Sequence, residues 1–178
     1  VEPYTKDFWG KINRIQKEND VIIIIDDIFM GGGKTGTFFG FDNLPVAPDI
    51  FVMGKAITGG FFPLAISMHN NKIHEQLQDK NWLHGHTYSF CLSGILSMLE
   101  YILVLKKENY MNNVYTIVST AKEYFKKADF DVIGNYGTFF LLKKHGHIFR
   151  FCLPINADEE YFKAVPDTLK QLDERWTL

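Results

Sequence analysis

The stretch VIIIIDDIFMGGGKTG, residues 21–36, decides the fold of this 178-residue chain. It opens with five β-branched residues, which predict a strand that is apolar on both faces, as in the centre of a parallel sheet. The strand ends at Asp26 and Asp27, and a glycine-rich loop follows. Ligands of open α/β sheets bind just outside the carboxyl ends of such strands. The stretch therefore predicts an α/β fold with a site at Asp26.

A second segment of the same kind is PDIFVMGKAITGG, residues 48–60. Residues 50–53 predict another buried strand, and Lys55 follows it after one glycine. We expect Lys55 to be partly buried, because burial lowers the pKa of a lysine and makes its neutral amine a nucleophile toward an aldehyde. The alternative is a lysine whose charged end reaches solvent.

Periodicity predicts helices around these strands and a change of architecture near residue 110. The helix at 89–108 is expected to be largely buried, because its apolar residues recur at helical spacing. We predict two domains, residues 1–110 and residues 111–178, the second a small α+β domain with a closing helix bent at Pro166. The other predicted elements are helices at 4–19, 70–78, 112–127 and 158–173, and a hairpin of strands at 139–142 and 148–153.

Two further positions carry groups that suit anionic ligands. Thr87, in the loop HGHTYS at 84–89, offers a hydroxyl and a backbone N–H to a phosphate oxygen. Arg150 lies in the apolar segment IFRFCL at 148–153, where a guanidinium needs a partner. That partner is either a substrate carboxylate, which suits the planar guanidinium, or a carboxylate in a structural ion pair.

Two other interpretations of these loops fail on spacing. His84 and His86 suggest zinc, but no third ligand has a suitable spacing, so we predict no metal site. The run GGGKT suggests a nucleotide-binding P-loop. That motif needs glycine at the position of Ile28 and should open a helix, whereas TFFGFDNLP follows here.

Composition narrows the possible partners. The formal net charge of −2 gives no electrostatic reason to expect nucleic acid or an anionic membrane as a partner. We predict neither a transmembrane helix nor a signal peptide. Cys91 and Cys152 lie in apolar runs, and we expect buried free thiols in a reducing, cytoplasmic setting. The aromatic share of 15% predicts large rings buried in a core or at an interface.

Together these segments resemble the class III aminotransferases of fold type I, which use pyridoxal 5′-phosphate (PLP). IIIIDDIFMGGGKTGTFFGF resembles the family's central strand and glycine loop, although Asp27 and Lys34 stand where the family usually has Glu and Arg. PDIFVMGKAITGGFFPLA resembles its Schiff-base segment, and HGHTYS and IFRFCLPINADEEYF resemble its phosphate loop and its C-terminal segment. The four segments occur in the family's order, with Asp26 and Lys55 separated by 29 residues.

The resemblance implies a role for each candidate residue. Lys55 would form the Schiff base with PLP, and Asp26 would hold the pyridine nitrogen protonated, which makes the ring an electron sink. Thr87 and His86 would bind the cofactor phosphate, with Thr87 reaching the partner subunit's cofactor in a homodimer. Arg150 would bind the substrate carboxylate. The implied substrates are an amino acid or amine donor and a keto-acid acceptor.

The resemblance also implies that the chain corresponds to the C-terminal half of such an enzyme. In the family, an N-terminal half supplies a Gly/Ser-rich helix N-terminus for the phosphate and an aromatic side chain that stacks on the pyridine ring. Without them we expect weak PLP binding, negligible turnover and self-association. The alternatives are a non-catalytic half-domain with weak or no PLP binding, and a mutase or racemase on the same scaffold.

Overall fold

A computed structural model describes residues 5–80 and 85–176 of the chain. The chain forms two compact units, which divide in sequence after Glu108. Residues 33–36, inside the glycine-rich loop, group with the second unit. Each unit is described by itself below.

The first unit is built on a three-stranded sheet. β1 is Ile24–Asp26, β2 is Ile50–Met53 and β3 is Ile66–His69, in the order β1-β2-β3. β1 pairs with β2 in parallel, with Asp26 opposite Val52, and β3 pairs with β2 antiparallel. The parallel pair confirms the α/β expectation, whereas the sequence did not predict β3.

Three helices accompany this sheet. The side chain of Asn70 begins α2 by accepting the backbone N–H of Ile73 at 3.1 Å, the usual way in which an asparagine caps a helix N-terminus. α1 has no buried residue, although its predicted apolar face is present. The elements are α1 at Lys6–Asn19, α2 at Asn71–Leu77, α3 at Leu92–Glu108, and single 3₁₀ turns at Gly40–Asn43 and Lys55–Thr58.

β1 differs from its prediction in length and surroundings. The predicted strand covered residues 21–25 and was placed at the centre of a sheet, whereas β1 spans three residues and lies at the sheet edge. The side chain of Ile24 is 63% exposed and that of Ile22 is 45% exposed. Among the described residues no strand pairs with the outer edge of β1, so its apolar side chains lack the cover that a central parallel strand has.

α3 forms where the sequence predicts a helix, but the expectation of burial was wrong. Only Gly94 and Leu105 are buried in it. A side chain at Gly94 would meet Leu64 and Phe62, which shows that this face packs on the segment after Lys55. The helix is apolar on most of its surface, so periodicity alone could not say which face is covered. Four leucines spaced by four, three and four residues stay 49–66% exposed: Leu92, Leu96, Leu99 and Leu103.

The second unit packs two helices against an antiparallel sheet of order β4-β5-β6. Its elements are α4 at Val114–Lys127, β4 at Asp131–Tyr136, β5 at Phe139–Lys144, β6 at His147–Cys152 and α5 at Glu159–Trp176. The core is formed by Ile117, Ala121, Phe125, Phe130, Phe140, Leu142, Leu153, Phe162, Val165 and Leu169.

The sequence predicted the hairpin and both helices of this unit but missed β4. β4 is half exposed and contains glycine and asparagine, so it shows no apolar alternation. Pro166 lies inside α5, which continues past it to Trp176.

The two cysteines are free, as predicted, but neither is buried. Cys152 is exposed because β6 alternates its side chains and turns Phe151, not Cys152, toward the core. Cys91 is only partly covered, just before α3. None of the described helices combines the length and the apolar character needed to cross a bilayer.

Candidate functional site

The candidate site begins at the carboxyl end of β1, where two acidic residues are adjacent. Asp26 is exposed, and its Oδ1 accepts the backbone N–H of Ile28 at 3.0 Å. Asp27 is only 4% exposed, and its Oδ2 accepts the backbone N–H of Gly40 at 2.8 Å. Neighbouring side chains on a strand point to opposite sides, so only Asp26 is available to a ligand at this edge.

The environment of Asp27 changes its acidity. The pKa of the Asp27 carboxyl is raised to about 6, chiefly by burial, with smaller contributions from the negative charges of Asp42 and Asp26. The hydrogen bond from Gly40 only partly offsets this rise. This could not be predicted from the sequence, which shows two adjacent acids and not which of them is enclosed.

Lys55 lies just past the end of β2, at the start of a 3₁₀ turn. Its side chain is exposed, so the expected partial burial was wrong. The reason is local: Gly54 is extended, and Lys55 has a φ of 49°, a left-handed conformation that directs the chain into the turn. The hydroxyl of Thr58 donates to the carbonyl of Phe62 at 2.6 Å and closes the segment that follows.

One aromatic ring accompanies the lysine amine. The Nζ atom of Lys55 lies 5.7 Å from the ring centroid of Phe29, within the range of a cation–π interaction. Phe29 is 40% exposed and follows the two acids by two residues. Sequence reasoning did not single it out, because one phenylalanine in a loop carries no pattern.

The sheet register brings the two strand ends to the same edge. Asp26 on β1 is opposite Val52 on β2, and Lys55 follows Val52 by three residues. Because β1 and β2 are parallel, a carboxylate and a primary amine leave adjacent strands in the same direction. An exposed carboxylate and an exposed amine there can contact a charged heteroaromatic ring and react with a carbonyl group.

The phosphate-loop candidates lie in the turn before α3. Thr87 is exposed, and the turn is closed by the backbone N–H of His86, which donates to the Ser89 hydroxyl at 2.9 Å. His86 also accepts the backbone N–H of Tyr88 through Nδ1 at 3.2 Å. His84 lies outside the described residues. Within residues 5–80 and 85–176, no three His, Cys, Asp or Glu residues gather as a possible metal site.

Arg150 belongs to the second unit, in β6 opposite Leu141. Its neighbours Phe149 and Phe151 pack against the core, so Arg150 points the other way and is exposed. The expectation that this guanidinium sits in apolar surroundings and needs a partner was therefore wrong, because the strand alternates. An exposed guanidinium remains free to approach a carboxylate.

Tyr101 is a second residue that the sequence did not single out. Its hydroxyl, on α3, donates to the carbonyl of Gly32 in the glycine-rich loop at 2.7 Å. Burial raises the pKa of Tyr101 to about 12, so the hydroxyl remains a donor at neutral pH. Tyr101 also borders an open, largely apolar hollow of about 440 Å³ beside α3, which Phe61 and Leu96 line as well.

Comparison with known proteins supports one family. Residues 1–139 match the family model described as aminotransferase class-III. An adenosylmethionine-8-amino-7-oxononanoate aminotransferase of Staphylococcus aureus is 34% identical over 125 residues, which cover 67% of this chain and 28% of that protein. The protein of the same name from Methanocaldococcus jannaschii is 36% identical over 124 residues, covering 63% of this chain and 26% of its own length.

Solved structures agree on the fold. The crystal structure of the Methanocaldococcus jannaschii protein matches 99% of this chain and 51% of its own, with a TM-score of 0.83 and 24% identity. A transaminase from the marine bacterium Virgibacillus matches 94% of this chain and 48% of its own, with a TM-score of 0.80 and 19% identity. The fold is that of fold type I transaminases, and the chain spans about half the length of the solved chains that it matches.

Proposed function

Because this chain belongs to the class III aminotransferase family, we propose that it forms part of a PLP-dependent aminotransferase. The enzyme would move an amino group between an amino acid or amine donor and a keto-acid acceptor. One observation carries the proposal beyond the family match: Asp26 and Lys55 leave adjacent parallel strands at the same edge of the sheet. PLP requires these two groups, a carboxylate for its pyridine nitrogen and an amine for its aldehyde.

The residues present fit the ring of the cofactor. Bound PLP would supply a protonated ring that withdraws electrons from the substrate carbon, and Lys55 and Asp26 would hold its aldehyde and its ring nitrogen. We assign Asp26 to hold that ring proton. Its Oδ1 already accepts the Ile28 N–H, which leaves lone pairs for a pyridinium donor and fixes the orientation of the carboxylate.

Lys55 is assigned to bind the aldehyde and afterwards to move protons. The residue is exposed, so a carbonyl compound can approach its side chain without rearrangement of the core. The contact with the Phe29 ring limits where the flexible side chain can point.

The other candidate residues are assigned to binding the cofactor phosphate and the substrate carboxylate. We assign Thr87 and His86 to the cofactor phosphate, because their turn is exposed and contains the Thr87 hydroxyl and the His86 imidazole, whose Nδ1 accepts from Tyr88 within the turn. We assign Arg150 to the substrate carboxylate. A homodimer in which Thr87 serves the partner subunit's cofactor is part of the proposal, as is the division into a PLP-binding domain at 1–110 and a small domain at 111–178.

Reductive trapping tests the central assignment. The chain is incubated with PLP, reduced with borohydride and digested, and the phosphopyridoxyl mass is located by peptide mass spectrometry. We expect the label on Lys55. The variant Lys55→Arg should lose it, whereas the matched variant Lys34→Arg, which changes the lysine of the glycine-rich loop, should keep it. Label on another lysine with Lys55 unmodified would contradict the assignment.

A further inference from the structure

We propose that Asp27 is a positioning residue. Its buried carboxyl holds together the two ends of the glycine-rich loop, at Gly31 and Gly40, and thereby keeps Asp26 in the orientation that the cofactor requires. This inference rests on the proposed function for the role of Asp26. The contacts that carry it lie within the first unit.

Asp27 binds three separate parts of the chain. Its backbone N–H donates to the carbonyl of Val52 on β2 at 2.9 Å, and its backbone carbonyl accepts from Gly31 at 3.0 Å. Its carboxylate Oδ2 accepts from Gly40 at 2.8 Å. One residue thus connects the neighbouring strand, the start of the loop and its end.

The two glycines leave room for the carboxylate itself. A Cβ at Gly40 would lie 2.5 Å from Oδ1 of Asp27, and a Cβ at Gly31 would lie 2.9 Å from Oδ2. Neither glycine has a φ in the left-handed region, so backbone conformation does not require glycine at either position. At Gly40 the nearest obstacle to a Cβ is the Asp27 carboxyl, whereas at Gly31 Met53 and the backbone carbonyl of Asp27 lie slightly nearer than the carboxyl.

A hydrogen bond also closes the loop just beyond these contacts. The backbone N–H of Gly32 donates to the carbonyl of Phe38 at 2.8 Å. Residues 33–36, between these two positions, group with the other unit. The two ends of the loop therefore lie close together. Gly31 at one end and Gly40 at the other both contact Asp27.

The connection to Asp26 runs through the turn at residues 27–31. Ile28 lies inside that turn, which the Gly31–Asp27 backbone hydrogen bond closes. The N–H of Ile28 is the donor that fixes Oδ1 of Asp26. If the carboxyl of Asp27 no longer held Gly40 and filled the space beside Gly31, the turn would loosen and Ile28 would release Asp26.

Amide hydrogen exchange, measured residue by residue, tests this on the chain without cofactor. Asp27→Ala should speed exchange at least tenfold at both Gly40 and Ile28. Asp27→Asn keeps an acceptor oxygen and should leave both amides protected. Asp42→Ala, which removes an exposed nearby carboxyl, is the matched control and should change neither. Faster exchange at Gly40 with Ile28 unchanged would overturn the positioning role.

A steric substitution provides a second test that keeps Asp27 and therefore applies even if Asp27→Ala alone does not fold. Gly40→Ala should displace the carboxyl and speed exchange at Ile28. Where Asp27→Ala does fold, combining the two substitutions should give a protein more stable than Gly40→Ala alone, because the clash is with a side chain. Gly31→Ala should not be rescued, because its Cβ would also lie 2.8 Å from the backbone carbonyl of Asp27 and 2.7 Å from Met53. Equal behaviour of the two glycine variants would refute the geometry.

The two proposals fail in distinguishable ways. If trapping puts no label on Lys55 while the exchange results hold, the cofactor assignment is wrong and the positioning of Asp26 by Asp27 stands. If Lys55 is labelled but the exchange rate at Ile28 is the same in Asp27→Ala and wild type, the proposed function stands and Asp27 has no positioning role.

Discussion

Asp26 and Asp27 are consecutive in the chain, yet one is exposed at the end of β1 and the other is 4% exposed beneath the glycine-rich loop. The strand alternation that separates them gives two identical side chains different chemistry. The exposed carboxylate suits a ligand, and the enclosed one has a pKa raised to about 6, chiefly by burial. The predictions below follow from this and from three other local arrangements.

Asp27→Asn should stabilise the protein at neutral pH. The pKa of Asp27 is raised by folding from 3.8 to about 6, so its ionised form opposes folding. That cost is absent below pH 3.8, grows between 3.8 and 6 and is constant above. The stability of the variant relative to wild type should therefore rise between pH 3.8 and 7 by on the order of 1 kcal/mol, less than the full shift would give, because the carboxyl is partly solvated and asparagine adds an amide N–H group.

Chemical denaturation at several pH values between 3.5 and 8 measures this difference. Asp42→Asn, which removes only one of the charges that raise the pKa of Asp27, should show a smaller gain over the same pH range. A stability gain that shrinks as pH rises would contradict the raised pKa of Asp27.

Asp49 should behave in the opposite way. It is 6% exposed, and its Oδ2 accepts from the backbone of Ile23 at 2.8 Å and from Gln16 at 3.0 Å, while Oδ1 accepts from Asn70 at 2.8 Å. Burial acts to raise its pKa, but these hydrogen bonds together outweigh burial and lower it. Asp49 therefore stabilises the fold above pH 3.8, and this contribution is lost as pH falls through the lower folded pKa.

Replacement of Asp49 tests that network. Asp49→Ala should cost about 2 kcal/mol of unfolding free energy at pH 7, because three part-buried hydrogen-bond donors lose a charged acceptor at once. Asp20→Asn, which changes an exposed carboxylate that binds Lys72, is the control and should leave the unfolding free energy nearly unchanged. Equal losses for both variants would show that Asp49 has no special role.

Gly137→Ala should damage the second unit far more than Gly146→Ala. Both glycines have positive φ values, 50° and 80°, so both substitutions strain the backbone by about 1 kcal/mol. A Cβ at Gly137 would also collide with the backbone carbonyl of Lys34, whereas nothing lies within 4 Å at Gly146. Thermal unfolding should show an extra loss on the order of 2 kcal/mol for Gly137→Ala, and similar melting points for the two variants would contradict the collision.

The exposed leucines of α3 should drive self-association. Leu92, Leu96, Leu99 and Leu103 form one stripe at heptad-like spacing, 49–66% exposed. Leu96→Gln combined with Leu103→Gln should shift sedimentation toward the monomer. The substitutions remove apolar side chains whose burial between two copies of the chain would favour association. Lys106→Gln combined with Lys107→Gln, at the end of the same helix, should not produce this shift; if the leucine variant sediments like wild type, the stripe is not the contact.

The sequence by itself determined the elements whose signals are local. β2, the helices and the hairpin of the second unit follow from periodicity, because side-chain spacing of 3.6 or 2 residues is a property of each segment alone. The family resemblance also follows from short sequence motifs, because the strand, the acidic residue, the glycine-rich loop and the lysine occur in the same order as in the family. The positions of Asp26 and Lys55 after parallel strands were predicted in this way.

Only the tertiary structure decided which faces are covered. α3 is apolar on most of its surface, and contact with the segment after Lys55 selects the buried side. Arg150 and Cys152 are exposed because β6 turns its phenylalanines inward, and Asp27 is enclosed because Gly40, thirteen residues away, donates to it. Burial and pKa depend on atoms that are distant in sequence, and a periodic pattern contains no information about those atoms.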